Sequence, residues 1–395
     1  AQRSVKILNS AGDKQKLIVV WPYRFRDFDW QRFELEFLSK HLEVHVHELI
    51  DALTPEFAAA YANQSDSARI TRFSSLKQWQ REFKKISKDA IVFSHLRPVN
   101  FQTFLACVQL RMSRAKVIAF STGGVSFSSV RVNPDKRDLP EPIKQLLHFV
   151  RRNLLRIAMP NFVVAGGSEE VKRVRRDFPR STRIVLANSS DFSTTIRLMK
   201  NETVTSQSAI YLDTGFPGFP RDEIIEKTSE TVRPEDWYPN LSKFFETVER
   251  SLGLKVSISA HPKHVGRDHQ PLFGERETLG GQTAEGVSCC ELVIATNSTA
   301  ISYAIAFFKP LVLVTSDKIE KSRDQYKSSL IQNISTDTGA TIFNIDRQYS
   351  EQEIKAALVI NHERYDSYKK KYLTSRTDDK PNYQVILEEI INARH

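Results

Sequence analysis

Short apolar runs that stop at small or polar residues alternate along this chain with stretches of helical periodicity, and they do so in two successive series. In the first series Lys16–Val20, Leu42–Leu49, Ala90–Ser94, Lys116–Phe120, Asn161–Ala165 and Arg183–Ala187 read as strands. The second series comprises Ala209–Leu212, Lys255–Ser259, Leu292–Ala295, Leu311–Thr315 and Thr341–Phe343. Helical periodicity fills Phe28–Leu42, Phe101–Arg111, Trp237–Leu252 and Ser298–Phe308, and a further helix is expected from Ser168 onward. Strands that alternate with helices over this length form βαβ units and parallel sheets.

A chain of 395 residues is too long for one ordinary core, so two domains are expected. The polar, weakly patterned stretch 201–208 serves as the linker. Residues 1–200 then form one Rossmann-like domain and 201–375 a second. The tail from Ser350 reads as two helices interrupted by Thr377–Pro381, the last of them, within 376–395, packing back on the first domain. Two doubly wound α/β domains that face one another across a central cleft make the architecture called GT-B. Its ligand cleft lies outside the carboxyl ends of the strands.

Composition narrows the function classes. Hydrophobic residues make up 40% and charged residues 26%, as in a globular protein, and no apolar run reaches the roughly 20 residues that span a bilayer. No signal-peptide pattern opens the sequence, although it starts at Ala1 and so leaves room for a missing leader. Cys107, Cys289 and Cys290 give neither a disulfide framework nor zinc spacing and read as reduced thiols of a cytosolic protein. The net charge of +10 favours anionic partners. Basic residues crowd between 151 and 180, at Arg151, Arg152, Arg156, Lys172, Arg173, Arg175, Arg176 and Arg180. These form either an ordinary wet face or a docking face for anionic lipid. No RNA motif or recognition helix accompanies them, so nucleic acid is not an expected partner. The expected location is cytoplasmic, either free or peripheral at the inner face of the cytoplasmic membrane.

Candidate chemistry gathers where strands end. Val256–Ala260 stops at His261-Pro262-Lys263-His264, and Leu292–Ala295 stops at Asn297-Ser298-Thr299 ahead of an apolar helical run. Imidazole donates to a phosphate oxygen, and a serine at a helix start adds a hydroxyl and free backbone N–H groups. With the two strand ends side by side, they would share one phosphate. Glu285 offers a carboxylate to the hydroxyls of a ribose. Asp213, in Tyr-Leu-Asp-Thr-Gly-Phe-Pro, puts an acid on a tight loop, as a general base or a nucleophile. In the first half, Ser121-Thr122-Gly123-Gly124 and Gly166-Gly167 offer close backbone approach. Trp21-Pro-Tyr-Arg24-Phe-Arg26 suits stacking and the holding of an acidic sugar. Lys309-Pro310 closes a helix and opens a strand.

The order acid–Gly (Asp213), His-Pro (His261, Pro262), Ser-Thr (Ser298, Thr299) resembles the motif set of bacterial CMP-sugar-dependent GT-B glycosyltransferases. These are the sialyltransferases, polysialyltransferases and Kdo transferases of surface-polysaccharide assembly. The resemblance covers mainly residues 209–316. It implies Asp213 as the catalytic acid-type residue, His261 and Pro262 at the CMP phosphate, and Ser298 and Thr299 holding it. It also implies no metal and no cofactor beyond the CMP-sugar co-substrate. The donor would sit on the C-terminal domain, and a capsule, lipopolysaccharide or O-antigen acceptor would enter from the N-terminal one. Related placements occur in CDP-glycerol polymerases of teichoic-acid type. A non-catalytic glycan- or nucleotide-binding protein is the third reading. A nucleotide-sugar epimerase shares the architecture, without a convincing acid and glycine set here.

Overall fold

The computed structural model describes residues 14–58, 69–98, 100–123, 155–200, 205–217, 232–261, 270–322 and 326–392, together with 142 and 145. Its first sheet contains β1 (Lys16–Trp21), β2 (Glu43–Glu48), β3 (Ile70–Arg72), β4 (Ile91–Ser94), β5 (Lys116–Ser121), β6 (Phe162–Gly166) and β7 (Arg183–Ala187). These lie in the order β3-β2-β1-β4-β5-β6-β7. The second sheet contains β8 (Ser208–Leu212), β9 (Lys255–Ala260), β10 (Thr278–Gly280), β11 (Leu292–Ala295), β12 (Leu311–Thr315) and β13 (Thr341–Asn344). Its order is β10-β9-β8-β11-β12-β13. Neighbouring strands pair in parallel throughout both sheets. Both are doubly wound and Rossmann-like, and the strand order reverses between β1 and β4 and between β8 and β11. Those two reversals are the switch points where ligands of such sheets bind.

Period-two alternation explains why these runs are strands. On one face of the first sheet Leu17, Val19, Val46, Ile91 and Phe93 share a core with Val385, Ile386 and Ile390 of the tail. On the other face Ile18, Val20, Val92 and Val117 pack with Trp79, Phe83 and Leu110. Each such side chain, once buried, contributes roughly 1.5–3 kcal/mol of transfer free energy. The expected helix over Phe28–Leu42 divides into Asp27–Arg32 and Leu35–Leu38. It breaks at Glu34, whose φ of 53° is left-handed. The Glu34 carboxylate accepts from the Ser193 hydroxyl and the Tyr383 backbone N–H, both at 2.6 Å, and pairs with Arg197 at 3.1 Å. A backbone kink is thereby tied to two distant segments.

Two segments cross between the halves. The Ser190–Leu198 helix puts Phe192 and Ile196 into the second core. The His362–Tyr368 helix continues as a π turn, Lys369–Leu373, and contributes Tyr365, Tyr368 and Leu373 to that core. The chain then returns to the first sheet through Asn382–Ile386 and the π turn Leu387–Ile391. Asn188, fully buried, joins the crossings. Its amide donates to the Lys380 carbonyl at 2.8 Å and accepts from Thr374 at 2.6 Å. Gly166 closes directly on this knot: a Cβ there would lie 2.4 Å from backbone atoms of Asn188 and Ser189. Gly166→Ala is expected to destabilise the fold by about 3 kcal/mol, the upper end of overpacking costs. Denaturant unfolding measures it, and a loss below 1 kcal/mol would contradict the close approach.

His47, on β2, is 3% exposed, and its Nδ1 accepts from the Trp79 indole N–H at 3.2 Å, which requires an unprotonated nitrogen. Burial first, then the neighbouring His45, lowers its pKa to about 4. An unfolded histidine titrates near 6.5, so on acidification the unfolded chain takes up this proton first. The contribution to stability is complete above about pH 6.5 and is lost as pH falls toward 4. Going from pH 7 to pH 5, His47 is expected to cost about 2 kcal/mol. Denaturant melts of wild type and His47→Gln at both pH values measure this difference. Parallel pH dependence in the two proteins would refute it.

Candidate active site

β8 lies between β9 and β11, with Leu212 level with Ser259 on one side and Ala295 on the other. Asp213, His261 and Asn297-Ser298 therefore leave three adjoining strands at the carboxyl edge of the second sheet, around its switch point. The histidine and serine strand ends were expected side by side. They are instead one strand apart, about 10 Å at the usual strand spacing, and the acid's strand fills the gap.

Asp213 is 4% exposed. Its Oδ1 accepts from the Gly215 N–H at 2.8 Å, and its Oδ2 accepts from the His261 backbone N–H at 3.2 Å. Gly215, at φ 75°, supplies the left-handed step that folds the turn back onto the carboxylate. Main-chain donors of two strands thus orient one acid, and the same bond fixes where the His261 backbone starts. Two residues back on the same strand face, Tyr211 is buried against Phe245 and Phe273, with ring centroids at 5.2 and 6.1 Å. Burial first and the Asp213 charge second push the Tyr211 and Tyr238 phenols above their ordinary range, so both stay neutral beside the acid.

The turn after β11 differs from its expected form. The helix begins at Ile301 and runs only to Ala306, with Ala300 in the capping position. Ser298 caps nothing longer than its own turn: its Oγ accepts from the Ala300 N–H at 3.2 Å. The phosphate-holding capacity here is therefore that of a hydroxyl turn rather than of a long helix end. Ser298 is buried, Asn297 half-buried and Thr299 exposed, and His261 is half-buried. Pro262, Lys263 and His264 lie outside the described residues.

One participant was missed. Asp191, on the crossing helix, accepts from the Ser302 hydroxyl, which also lies 2.9 Å from the Thr299 carbonyl. Burial raises the Asp191 pKa, opposed by the Ser302 hydroxyl, the Arg32 charge and the Tyr303 phenol. A carboxylate of the first half thus seats the Ser298–Thr299 turn of the second. Its only sequence signal is an acid beside Ser189-Ser190, which reads as an ordinary helix start.

Other candidates fall elsewhere. Glu285 is exposed on the Thr283–Cys289 helix and lines a cavity of about 890 Å³ with Ser206, Lys255, Ser257 and Arg276. That cavity runs toward the starts of β8 and β9, whereas the first turn of the Glu285 helix stands at the carboxyl edge, where the Thr283 hydroxyl meets that of Ser259 at 2.6 Å. Arg24 is buried and committed to Glu48 at 2.6 Å and Asp51 at 2.7 Å, which takes its guanidinium away from an acidic sugar. Ser121 donates to Glu170 at 2.5 Å and accepts from Arg173 at 2.9 Å, so its hydroxyl serves an ion pair. Thr122 meets the Ser190 hydroxyl at 3.2 Å and joins the end of β5 to the crossing helix. Gly166 serves the close packing on Asn188 in place of ligand approach. A side chain at Gly123 would meet nothing within 4 Å, so this position stays open, while Gly124 lies outside the described residues.

The first sheet's switch point holds a second missed residue. His95 follows β4 as His261 follows β9, and its ring stacks on Phe120 at 5.7 Å and 7°. Trp21 and Phe33 approach it, each at 4.6 Å. Burial, then Arg32 and Arg97, lowers its pKa to about 3, so the imidazole is neutral. Among the described residues no three His, Cys, Asp or Glu side chains gather as a metal site, and no described helix is long and apolar enough to cross a membrane.

No family model matches the sequence, and no curated protein matches it. Solved structures do resemble it. The wall teichoic acid polymerase TagF is 12% identical over 95% of this chain and 88% of its own, with a TM-score of 0.52. The UDP-GlcNAc 2-epimerase of Methanocaldococcus jannaschii is 13% identical over 94% of this chain and 98% of its own, with a TM-score of 0.49. At such identity the likeness to TagF speaks for the fold, which is GT-B.

Proposed function

We propose that the protein is a glycosyltransferase that moves an ulosonic acid, Kdo or a sialic-acid-like sugar, from a CMP-activated donor to a surface-glycan acceptor. The observation that carries this reading is the bond from the His261 backbone N–H to Asp213, with the Ser298 turn on the next strand. An acid, an imidazole and a hydroxyl turn then surround one switch point, where Rossmann-like sheets bind nucleotides. As CMP departs, negative charge grows on its phosphate and positive charge on the anomeric carbon. His261 and Ser298 would stabilise the phosphate more in the transition state than in the bound donor. Asp213 either takes the acceptor's proton, giving inversion, or forms a covalent sugar adduct, giving retention. Mass spectrometry of the intact protein with donor separates the two outcomes.

The TagF likeness favours a second reading, a CDP-glycerol or polyol-phosphate transferase on the same site. Release of CMP from CMP-Kdo, CMP-sialic acid and CDP-glycerol, each offered with a glycan acceptor, is the test. The first reading expects turnover with a CMP-sugar and none with CDP-glycerol, and the reverse establishes the second. Donor binding by calorimetry without product from any of them would make the protein a binding module.

A further inference from the structure

The Phe101–Met112 helix is apolar on two opposite sides. Ala106, Cys107 and Leu110 face the core beneath the first sheet. At 100° per residue, Phe101, Leu105 and Met112 fall within a wedge of about 40° on the other side, with the half-buried Val108 at its edge against the core. Phe101 is 74% exposed and Met112 80% exposed. The turn Leu155–Ala158 packs along the same helix and adds Ile157, itself 57% exposed. A surface helix ordinarily turns polar residues outward, so a continuous outward apolar stripe marks a surface that is covered in use.

Charge identifies the cover. Positions 90–134 contain no Asp or Glu, and neither do positions 142–168. The stripe is rimmed by Arg111, Arg114 and Arg156, all exposed, and neither the helix nor the turn carries a carboxylate. The Ser168–Asp177 helix, part of the basic cluster read as either a wet face or a lipid-docking face, behaves differently. There Lys172 pairs with Glu169 at 2.7 Å and Arg176 with Asp177 at 2.9 Å, while Arg173 pairs with Glu170. Arg151 and Arg152 of that cluster lie outside the described residues. An apolar stripe with aromatic and aliphatic tips, edged by arginines that pair with no carboxylate among the described residues, has the make-up of an interfacial helix lying in the headgroup plane.

We propose that the face formed by Phe101–Met112 and Leu155–Ala158 docks the protein on a bilayer of anionic phospholipid. Phe101, Met112 and Ile157 enter the acyl boundary, and the three arginines meet the phosphates. The inference concerns this face alone and holds whichever donor the protein uses.

Co-sedimentation of the full chain with vesicles tests it. Wild type is expected to pellet with phosphatidylglycerol–phosphatidylethanolamine vesicles and not with pure phosphatidylcholine. Arg111→Gln, Arg114→Gln and Arg156→Gln together are expected to lower the partition coefficient roughly 100-fold. Phe101→Ser, Met112→Ser and Ile157→Ser together are expected to lower it at least about tenfold. All six positions are exposed, so both variants should melt with the wild type. Equal partition into both vesicle types, or full binding by either variant, overturns the proposal. A wild-type dimer in sedimentation velocity that the apolar variant dissolves would also overturn it, by assigning the face to a second copy of this chain.

Discussion

Asp213→Asn is expected to lower transfer roughly 1,000-fold or more while the protein stays folded. The change is nearly isosteric, so the turn through Gly215 keeps its space. A carboxamide, however, has one acceptor oxygen where the carboxylate has two. It can serve the Gly215 N–H or the His261 N–H, and its NH₂ then faces the other donor. The lost bond and mismatched donor would cost about 1–3 kcal/mol of stability, short of unfolding a chain of this size. The larger loss is chemical, since an amide neither takes a proton from an acceptor hydroxyl nor attacks an anomeric carbon. Turnover measured with the donor that wild type accepts, beside a thermal melt of the variant, checks both parts. Turnover within tenfold of wild type would move the catalytic role to another residue.

His261→Ala is expected to cut turnover about 100-fold, the usual loss when one charge-stabilising donor is removed. Its backbone N–H still reaches Asp213 in the variant, so the acid stays oriented and the loss belongs to the imidazole. His261→Gln keeps a side-chain donor and should recover part of the activity. An Ala variant with near-normal turnover would remove His261 from the phosphate. A Gln variant no better than Ala would point to proton transfer in place of donation.

Much of the scaffold was legible because buried parallel strands advertise themselves. Ile91–Ser94 and Leu311–Thr315 are uninterrupted apolar or small runs, and each proved a fully buried strand. β3, Ile-Thr-Arg, and β10, Thr-Leu-Gly, carry no such run, because edge strands of three residues bury little. The break at Glu34 was hidden in a helical pattern, since what holds its left-handed backbone is a carboxylate bonded to Ser193 and Tyr383, far along the chain. The chemistry at strand ends could be read locally at Asp213, His261 and Ser298, each an outlier after an apolar run. Their spatial order could not, because nothing in the chain says which strand inserts between which. Asp191 and Ser302 stand 111 positions apart, and neither is unusual where it stands. Arg24 and Ser121 had the right residue types, and only tertiary contacts reveal that buried acids already hold them.

A crystal structure with CMP bound bears most directly on whether a histidine and a serine from separate strands grip the same anion. The phosphate should rest over the end of β8, within hydrogen-bonding distance of the His261 ring and the Ser298 hydroxyl. CMP seated instead beside Ser206, Lys255 and Ser257, toward the starts of β8 and β9, would contradict the site and the transfer chemistry built on it.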